Sequence, residues 1–338
     1  MPRELTRPVD TTLDGRTLSP EALGWSRTPL HRTRLSGAWG RNKRWEYWGI
    51  TSSECALAVT IADLDYLSLA AISLLDRRTL RFVEKVVPMP LGLGRAAHPE
   101  RVRGGDLRVR APGLAIDVHE RAGSTEIEAS CRSLREGVRI EATLSIEAAR
   151  ESMNVLVPWS AERFQFTSKQ PARAVRGEVR ANGREYALGE GTEAFACLDF
   201  GRGRWPYATT WNWAAASGVQ GGRVVGITLG GKWTDGTGTT ENGLVVDGAL
   251  TKIHETLEWR YERGAWTRPW AIESEGGEAV SLSFEPSYER RSVIELGVGR
   301  SEIHQCFGLF TGHLRAANGE RIEVRDLFGW AEEHRARW

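Results

Sequence analysis

The sequence has little cysteine, with only four such residues in 338 and each far from the next. None has a Cys-x-x-Cys partner or the cysteine and histidine spacing of a zinc site. Because Cys55, Cys131, Cys197 and Cys306 all lie in apolar runs, we expect buried free thiols rather than disulfides. A chain that does without disulfides is typical of a reducing compartment, so we expect a cytoplasmic protein with no metal site.

The chain also lacks long apolar runs and a large net charge. The first residues lack the apolar segment of a secretory signal, and no stretch approaches the ~20 apolar residues of a membrane-spanning helix. The 45 basic side chains are balanced by 44 acidic ones, which leaves no field that favours nucleic acid or an anionic membrane. We therefore expect a soluble protein whose partner is neither nucleic acid nor a membrane. These features leave the oligomeric state open.

Helical periodicity is absent as well, since no segment repeats apolar residues every three to four positions over ten or more residues. Instead, about twenty short segments either alternate apolar and polar residues or are continuously apolar. The alternation is most regular in Val138–Ile146. The dipeptides Asn182-Gly183, Asp247-Gly248 and Asn318-Gly319 each predict a tight hairpin turn. This spacing is typical of barrels. The sequence predicts an all-β fold of tandem barrels or strongly curved antiparallel sheets, with very little helix.

The strand pattern restarts once along the chain, which predicts two β-domains. We expect an irregular N-terminal segment over residues 1–36 and a first barrel-like domain over 37–170. The boundary is placed after the aromatic stretch Glu151–Lys169, in which Pro158 interrupts a strand. The second domain then spans residues 171–338, and its last ten residues, Gly329–Trp338, are expected to form one short helix.

The stretch Cys197–Gly243 holds four tryptophans and eleven glycines, together with several charged residues. Tryptophan offers a broad apolar face with one N–H donor, and glycine allows a ligand or backbone to approach closely. This composition indicates the wall of a pocket in the second domain; the alternative is ordinary barrel core. We expect a ligand to contact Trp205, Tyr207, Trp211, Asn212, Trp213, Lys232 and Trp233, and, from the preceding aromatic stretch, Trp159, Gln165 and Lys169.

Asp199 is the candidate general acid. It follows the apolar run Phe195–Leu198, and neighbouring aromatic rings that exclude water would raise the pKa of its carboxyl group. Arg204 would tune that carboxyl group. The alternative is a structural ion pair between Asp199 and either Arg202 or Arg204.

The glycine-rich segment Lys232–Gly243 has neither the GKS/T ending nor the following helix of a phosphate loop, and its acidic residues do not match a calcium loop. We expect either a lid over the pocket with Lys232 and Glu241 facing inward, or a solvated hairpin loop. His304 is a further candidate base or proton shuttle, with a structural histidine as the alternative. His334, which follows Glu332 and Glu333, is expected on the surface.

Several motifs give the chain a family resemblance. They are GAWGRNKRW from Gly37, SMNVLVPWS from Ser152, FQFTSK from Phe164, DFGRGRWPYATTWNWAAASG from Asp199, GGKWTDGTGTTENG from Gly230 and GWAEEHRARW from Gly329. The whole chain resembles the DUF2804 family, whose function is not assigned. More remotely it is similar to tandem calycin (lipocalin-like) proteins such as carotenoid hydratase and tocopherol cyclase. That resemblance implies a pocket between two barrel-like domains, lined by Asp199, Trp205, Trp211 and Trp213.

Together these observations predict binding of a lipophilic small molecule, such as an isoprenoid, polyketide or lipid. Acid–base chemistry without a cofactor would act on it by hydration, cyclisation or isomerisation. The first alternative is a carrier or binding module without turnover. The second is a carbohydrate-active enzyme that uses Asp199 and Glu241 as its two carboxylates.

Overall fold

The computed structural model describes residues 2–90, 96–133, 137–189, 191, 193–296 and 299–337. Strands account for 66% of the structure, and the only helical residues in these ranges form two 3-10 turns, Pro20–Ala22 and Glu275–Gly277. The all-β prediction is therefore confirmed. One sheet forms a nearly closed barrel and the other a half-barrel. No helix in the described ranges is long and apolar enough to span a membrane.

The first fifteen strands end at Arg204. They are β1 (Val9–Asp10), β2 (Trp25–Ser26), β3 (His31–Arg32), β4 (Asn42–Ser52), β5 (Cys55–Asp63), β6 (Leu67–Asp76), β7 (Arg81–Pro90), β8 (Leu107–Ala111), β9 (Leu114–Glu120), β10 (Ser124–Ser133), β11 (Val138–Glu147), β12 (Met153–Ser160), β13 (Arg163–Ala181), β14 (Arg184–Leu188) and β15 (Ala194–Arg204). Strands β1 and β3 form a small parallel pair, and the other thirteen form the first sheet. Its main order is β7-β6-β5-β4-β15-β13-β11-β10-β9-β8, with β12 and β14 also paired to β13.

The second sheet contains the rest of the chain in antiparallel order β19-β18-β17-β16-β24-β23-β22-β21-β20. Its strands are β16 (Ala208–Gln220), β17 (Arg223–Gly231), β18 (Gly243–Val246), β19 (Ala249–Lys252), β20 (Leu257–Arg260), β21 (Trp270–Ser274), β22 (Val280–Leu296), β23 (Gly299–Arg315) and β24 (Arg321–Arg337). The chain passes from the first sheet to the second at residues 205–207.

Strand alternation and turn chemistry explain much of this arrangement. In β11 the apolar residues Val138 to Ile146 are buried at every second position, as period-two alternation predicts. All three predicted hairpins are confirmed, at β13–β14, β18–β19 and β23–β24. In the first of them, Asn182 and Gly183 both have positive φ, which a type I′ turn requires.

The boundary predicted near residue 170 lies inside β13. This strand continues from residue 163 to 181, with a register shift between Gln170 and Arg173 and a positive φ at Ala172. Its first half pairs with β12 and β15, and its second half with β11 and β14. The irregular sequence there therefore marks a bulge within the first sheet, while the change of sheet comes after Arg204.

The predicted C-terminal helix is wrong. Residues 329–337 belong to β24, which pairs with β16 on one side and β23 on the other. Alanine, glutamate and arginine favour a helix in isolation, but pairing with two neighbouring strands outweighs local propensity.

Apolar clusters fill each sheet separately and also join the two. One cluster fills the first sheet, and a second, built from β16 to β24, fills the other. Two further clusters contain residues of both sheets: one includes Trp205 and Trp233, and the other includes Cys197, Trp213 and Trp330. The tryptophan-rich stretch thus lies between the sheets, which agrees with the location that the family resemblance implies and differs from the pocket inside the second domain that composition indicates.

Candidate active site

Strand register places three polar side chains in one row of the first sheet. Asp199 on β15 pairs with Tyr47 on β4 and with Lys169 on β13. Residues that are directly opposite on neighbouring strands point to the same face. Tyr47, Asp199 and Lys169 therefore share one face of the sheet.

A second row lies on the other sheet. Glu332 on β24 pairs with Trp213 on β16 and with Gln305 on β23. Trp211, Asn212 and Trp213 alternate along β16: the indoles of both tryptophans make contacts between the sheets, while Asn212 hydrogen-bonds Tyr261 on the opposite face. This second row thus presents Trp213, Glu332 and Gln305 toward the first sheet.

The two rows contact each other. The Lys169 Nζ lies 4.1 Å from the centroid of the Trp213 ring, which is a cation–π distance. The Gln305 Nε2 donates a hydrogen bond of 3.2 Å to the Tyr47 hydroxyl group. The Tyr47 and Trp213 rings meet edge to face at 5.7 Å. We call these six residues, together with Glu241, the inter-sheet site.

Lys169 is shared by two carboxylates within this site. Its Nζ lies 2.8 Å from the Asp199 Oδ2 and 3.3 Å from the Glu241 Oε2. The exposed fractions of the Lys169, Asp199 and Glu241 side chains are only 5%, 11% and 1%. Burial by itself lowers the pKa of the Lys169 ammonium, but the two carboxylates outweigh this effect and raise it. Lys169 is therefore protonated, and it lies in a site that is almost completely buried.

Neighbouring donors complete this ionic contact. The Thr167 hydroxyl donates to the Asp199 Oδ1 at 3.2 Å, and the Trp233 Nε1 donates to the Glu241 Oε1 at 2.6 Å. Burial raises the pKa of Glu241, partly offset by Lys169. The glycine-rich segment thus brings Glu241 into the site, as predicted. Asp199 and Glu241, the two carboxylates of the carbohydrate-active alternative, thus share one Lys169 ammonium.

Glu332 carries a third carboxyl group in the site and is 5% exposed. Its Oε1 accepts from the Trp211 Nε1 and its Oε2 from the Gln305 Nε2, both at 3.2 Å. Burial raises the pKa of Glu332 to about 7, against the lowering effect of the Trp211 hydrogen bond and of Lys169. The site therefore contains three carboxyl groups and one ammonium.

A cluster of five tryptophans lies beside these charges. Trp205 is its centre and is 4% exposed. Its ring centroid lies 4.9 to 5.7 Å from those of Trp45, Trp159, Trp211 and Trp233. All of these rings except Trp45 are predicted ligand contacts, and Trp211 connects the cluster to Glu332. The aromatic surface and the carboxyl groups are thus continuous.

Gln165 connects the tryptophan cluster to the first sheet. Its Oε1 accepts a 2.8 Å hydrogen bond from the Trp205 Nε1, while its buried Nε2 has no hydrogen-bond partner among the described residues. A Cβ at Gly201 would lie 2.2 Å from the Trp45 ring and 2.5 Å from this Nε2, so only glycine fits there. Gln165 therefore has one buried, unused amide donor beside the tryptophan cluster.

Arg204 does not tune Asp199. Odd-numbered residues of β15 face the inter-sheet site, whereas Arg202 and Arg204 point to the other face. Arg202 makes a 2.9 Å ion pair with Glu46. The guanidinium of Arg204 donates to the N-terminal segment and β4, at the carbonyls of Gly15, Arg16 and Ser36 and the Asn42 side chain. Both expectations for Asp199, tuning by Arg204 and an ion pair with either arginine, are wrong, because its partner is Lys169.

Four other predicted residues lie away from the site. His304 lies on the opposite face of β23 from Gln305, stacks on Trp266 at 4.1 Å and contacts Glu289 and Glu302. Lys232 contacts Glu333 and Tyr261, and Asn212 faces the same side. Tyr207 is 43% exposed. Of the two side chains expected to face inward from the glycine-rich segment, Glu241 contacts Lys169 in the inter-sheet site and Lys232 does not reach that site.

Tyr47, Glu332 and Gln305 were not expected in the site. Tyr47 lies in an ordinary-looking amphipathic strand, and Glu332 falls in the predicted helix. Glu332 lies next to Trp211, and so does His334, which was expected on the surface: its ring centroid is 4.0 Å from that of Trp211. Strand pairing brings these residues together: β4 pairs with β15 and places Tyr47 beside Asp199, while β24 pairs with β23 and places Glu332 beside Gln305. Within the described ranges, no group of three or more histidine, cysteine, aspartate or glutamate residues is arranged to hold a metal ion.

The geometry can now be compared with known proteins. The model of the DUF2804 family, described as a domain of unknown function, matches residues 2–338. The chain belongs to the DUF2804 family. No curated protein sequence matches it.

Solved structures show the fold of this DUF2804 protein. Kievitone hydratase from Nectria haematococca is similar with a TM-score of 0.50 and 12% identity, over 88% of this chain and 89% of that one. CghA in complex with Sch210972 is similar with a TM-score of 0.43 and 12% identity, over 90% of both chains. The DUF2804 chain thus has the fold of the hydratase.

Proposed function

We propose that this DUF2804 protein binds a lipophilic small molecule against its tryptophan cluster and acts on it by acid–base chemistry in the inter-sheet site. The reaction class would be hydration, cyclisation or isomerisation, none of which needs a redox cofactor. The observation that carries the proposal is the contact of Lys169 with Asp199 and Glu241, buried next to five clustered indoles.

The chemistry of these groups supports the proposal. Indole faces bind flat or isoprenoid ligands and stabilise a cation that develops on them. Asp199 is ion-paired with Lys169, and a carboxylate at this position can accept a proton or stabilise positive charge on a ligand. Fixed charges in a site that excludes water act more strongly than in solution. An apolar ligand would therefore meet an aromatic surface and a charged cluster at the same place.

The fold supports the choice of reaction to test first. Kievitone hydratase is named for a hydration, and a shared fold does not by itself transfer an activity. Hydration of an apolar substrate is therefore our first candidate, with cyclisation and isomerisation tested in the same assay.

Binding is tested with the intact protein and β-ionone, a small isoprenoid enone, by quenching of tryptophan fluorescence. We expect saturable quenching and a raised melting temperature, because a ligand that binds only the folded state stabilises it. Trp211→Ala should weaken binding at least tenfold. Trp39→Ala, at a residue that is 70% exposed, should leave binding unchanged. Native mass spectrometry of protein from its own host would show whether a natural ligand is retained.

Turnover is tested with a lipid extract of the host in ¹⁸O-labelled water and, separately, in D₂O. Hydration incorporates both ¹⁸O and deuterium, whereas isomerisation or cyclisation through protonation incorporates deuterium alone. The matched control is Asp199→Asn, which should still bind β-ionone without converting any extract component. Binding without turnover would favour a carrier, and failure of both assays would refute the proposal.

A further inference from the structure

Glu332 differs from the other two carboxyl groups of the inter-sheet site. Asp199 and Glu241 both contact the Lys169 ammonium, whereas the hydrogen-bond donors to Glu332 are the neutral Trp211 indole and the Gln305 amide. The Glu332 side chain is nonetheless buried between the two sheets. A buried carboxyl group without a directly bound cation favours its protonated form, because burial penalises the charged one.

The charged groups around Glu332 do not alter this conclusion. Facing it from the first sheet are Lys169, Asp199 and the hydroxyl group of Tyr47. On the second sheet Arg290 of β22 is a further charged neighbour, the Cys306 thiol of β23 also interacts with Glu332, and the His334 ring of β24 contacts the Trp211 indole that donates to it. Arg290 donates to Glu84 on β7 at 2.9 Å, so its charge is already paired, and Lys169 is shared by two other carboxylates. The net effect of burial and these neighbours is a pKa of about 7 for Glu332.

The position of Glu332 also suits proton transfer. Trp211 donates to its Oε1 and belongs to the tryptophan cluster, with its ring centroid 5.6 Å from that of Trp205. A ligand that lies on these indoles therefore lies next to the Glu332 carboxyl group. Asp199 points into the same site from the opposite sheet, so the acid and the carboxylate approach a ligand from two sides.

We propose that Glu332 is the proton donor of the inter-sheet site and that Asp199, the ion-pair partner of Lys169, is its counterpart base. This inference rests on the proposed function. In a hydration, the O–H bond of Glu332 breaks and a C–H bond forms at one alkene carbon. Water then forms a C–O bond at the cationic carbon and loses its proton to Asp199. Return of that proton to Glu332 regenerates the site, and no electron is gained or lost overall.

Infrared titration of the intact protein tests this assignment without a substrate. A protonated buried carboxyl group has a C=O stretch that is distinct from the stretches of carboxylates. We expect this band in the wild-type protein at pH 6, its loss by pH 8 and a midpoint near pH 7. Glu332→Gln should abolish the titrating band.

The matched control is Glu333→Gln. Glu333 is adjacent in sequence and its side chain is 1% exposed, but Lys232 and Arg263 contact it. Burial opposes ionisation there, yet the hydrogen bonds from Lys232, Tyr261 and Arg263 lower the pKa of Glu333 to about 2. This variant should therefore keep the titrating band. Trp211→Phe provides a second test that leaves Glu332 in place: loss of the indole donor should shift the midpoint to higher pH.

The outcomes separate this inference from the proposed function. A band that survives in Glu332→Gln, or a wild-type protein without one, would overturn the assignment whether or not β-ionone binds. Should Glu332→Gln not fold, a midpoint unchanged in Trp211→Phe would overturn it instead. Failure of β-ionone and extract components to bind would count against the proposed function, while the titration would still identify the protonated residue. If the infrared assignment and the proposed function both hold, Glu332→Gln should still bind β-ionone but should no longer incorporate deuterium into the substrate.

Discussion

Replacing Lys169 by methionine is the sharpest test of the inter-sheet site. The substitution removes the ammonium that lies 2.8 Å from Asp199 and 3.3 Å from Glu241 but keeps most of the side-chain volume. Both carboxyl groups would remain buried without a cation. Removing one partner of a buried ion pair costs about 3–5 kcal/mol, because the remaining charge is uncompensated. We expect a loss of this size in the free energy of unfolding at pH 8.

The pH dependence of this loss identifies its cause. Burial already raises the pKa of Glu241, and loss of Lys169 should raise it further. A carboxyl group whose folded-state pKa exceeds its unfolded value is most stabilising at low pH, and that contribution is lost as the pH rises through the folded value. The deficit of Lys169→Met should therefore be smaller at pH 5 than at pH 8.

Urea unfolding at both pH values measures these differences. A suitable control is Arg180→Met, which removes a 50%-exposed guanidinium from its ion pairs with Glu178 and Glu185 and should cost about 0–1 kcal/mol at either pH. The triple variant Lys169→Met, Asp199→Asn, Glu241→Gln should recover much of the lost stability, since no buried charge remains. A deficit below 1 kcal/mol at pH 8, or one that is equal at both pH values, would refute the reasoning.

Three further predictions concern the surroundings of the site. Trp205→Ala should lower the free energy of unfolding in urea by about 3–5 kcal/mol, whereas Trp39→Ala should change it by no more than about 0.5 kcal/mol. Similar losses in the two variants would contradict the central packing of Trp205 in the tryptophan cluster. Arg204→Ala should accelerate tryptic cleavage within residues 15–36, because its guanidinium holds the carbonyls of that segment; unchanged cleavage would argue against this anchor. Burial lowers the pKa of His31 from 6.5 to about 4, so its neutral form should contribute about 3 kcal/mol that is lost as the pH falls from 6.5 to 4. In His31→Gln, this pH dependence of the free energy of unfolding should be absent.

Local sequence features predicted most of the strands and turns. Alternation identified β11, and Asn182-Gly183 identified a hairpin, because both signals act over a few residues. They failed where pairing with distant strands decided the outcome. Residues 329–337 favour a helix locally but pair with β16 and β23, and the break near residue 170 is a bulge within β13.

The candidate site was only partly predictable, for a related reason. Asp199, Lys169, Glu241 and the tryptophans were identified from composition, yet the partner chosen for Asp199 was wrong. Arg204 is close in sequence but lies on the other face of β15, whereas Lys169 is distant in sequence and opposite in register. Odd and even positions of one strand face opposite sides of the sheet, so the sequence alone can exclude a partner for Asp199. Identifying the correct partner requires the register between neighbouring strands.

The sequence by itself determined that this chain is an all-β protein, that its tryptophans and glycines concentrate at one place, and that Asp199 belongs there. Composition and two-residue periodicity are local properties, so they can be read without a fold. The family resemblance implied a pocket between two domains, but only the tertiary structure decided which strands form the site, that Lys169 is shared by Asp199 and Glu241, and that Glu332 faces them. Those contacts join strands far apart in the chain, and their energies depend on burial that no local pattern specifies.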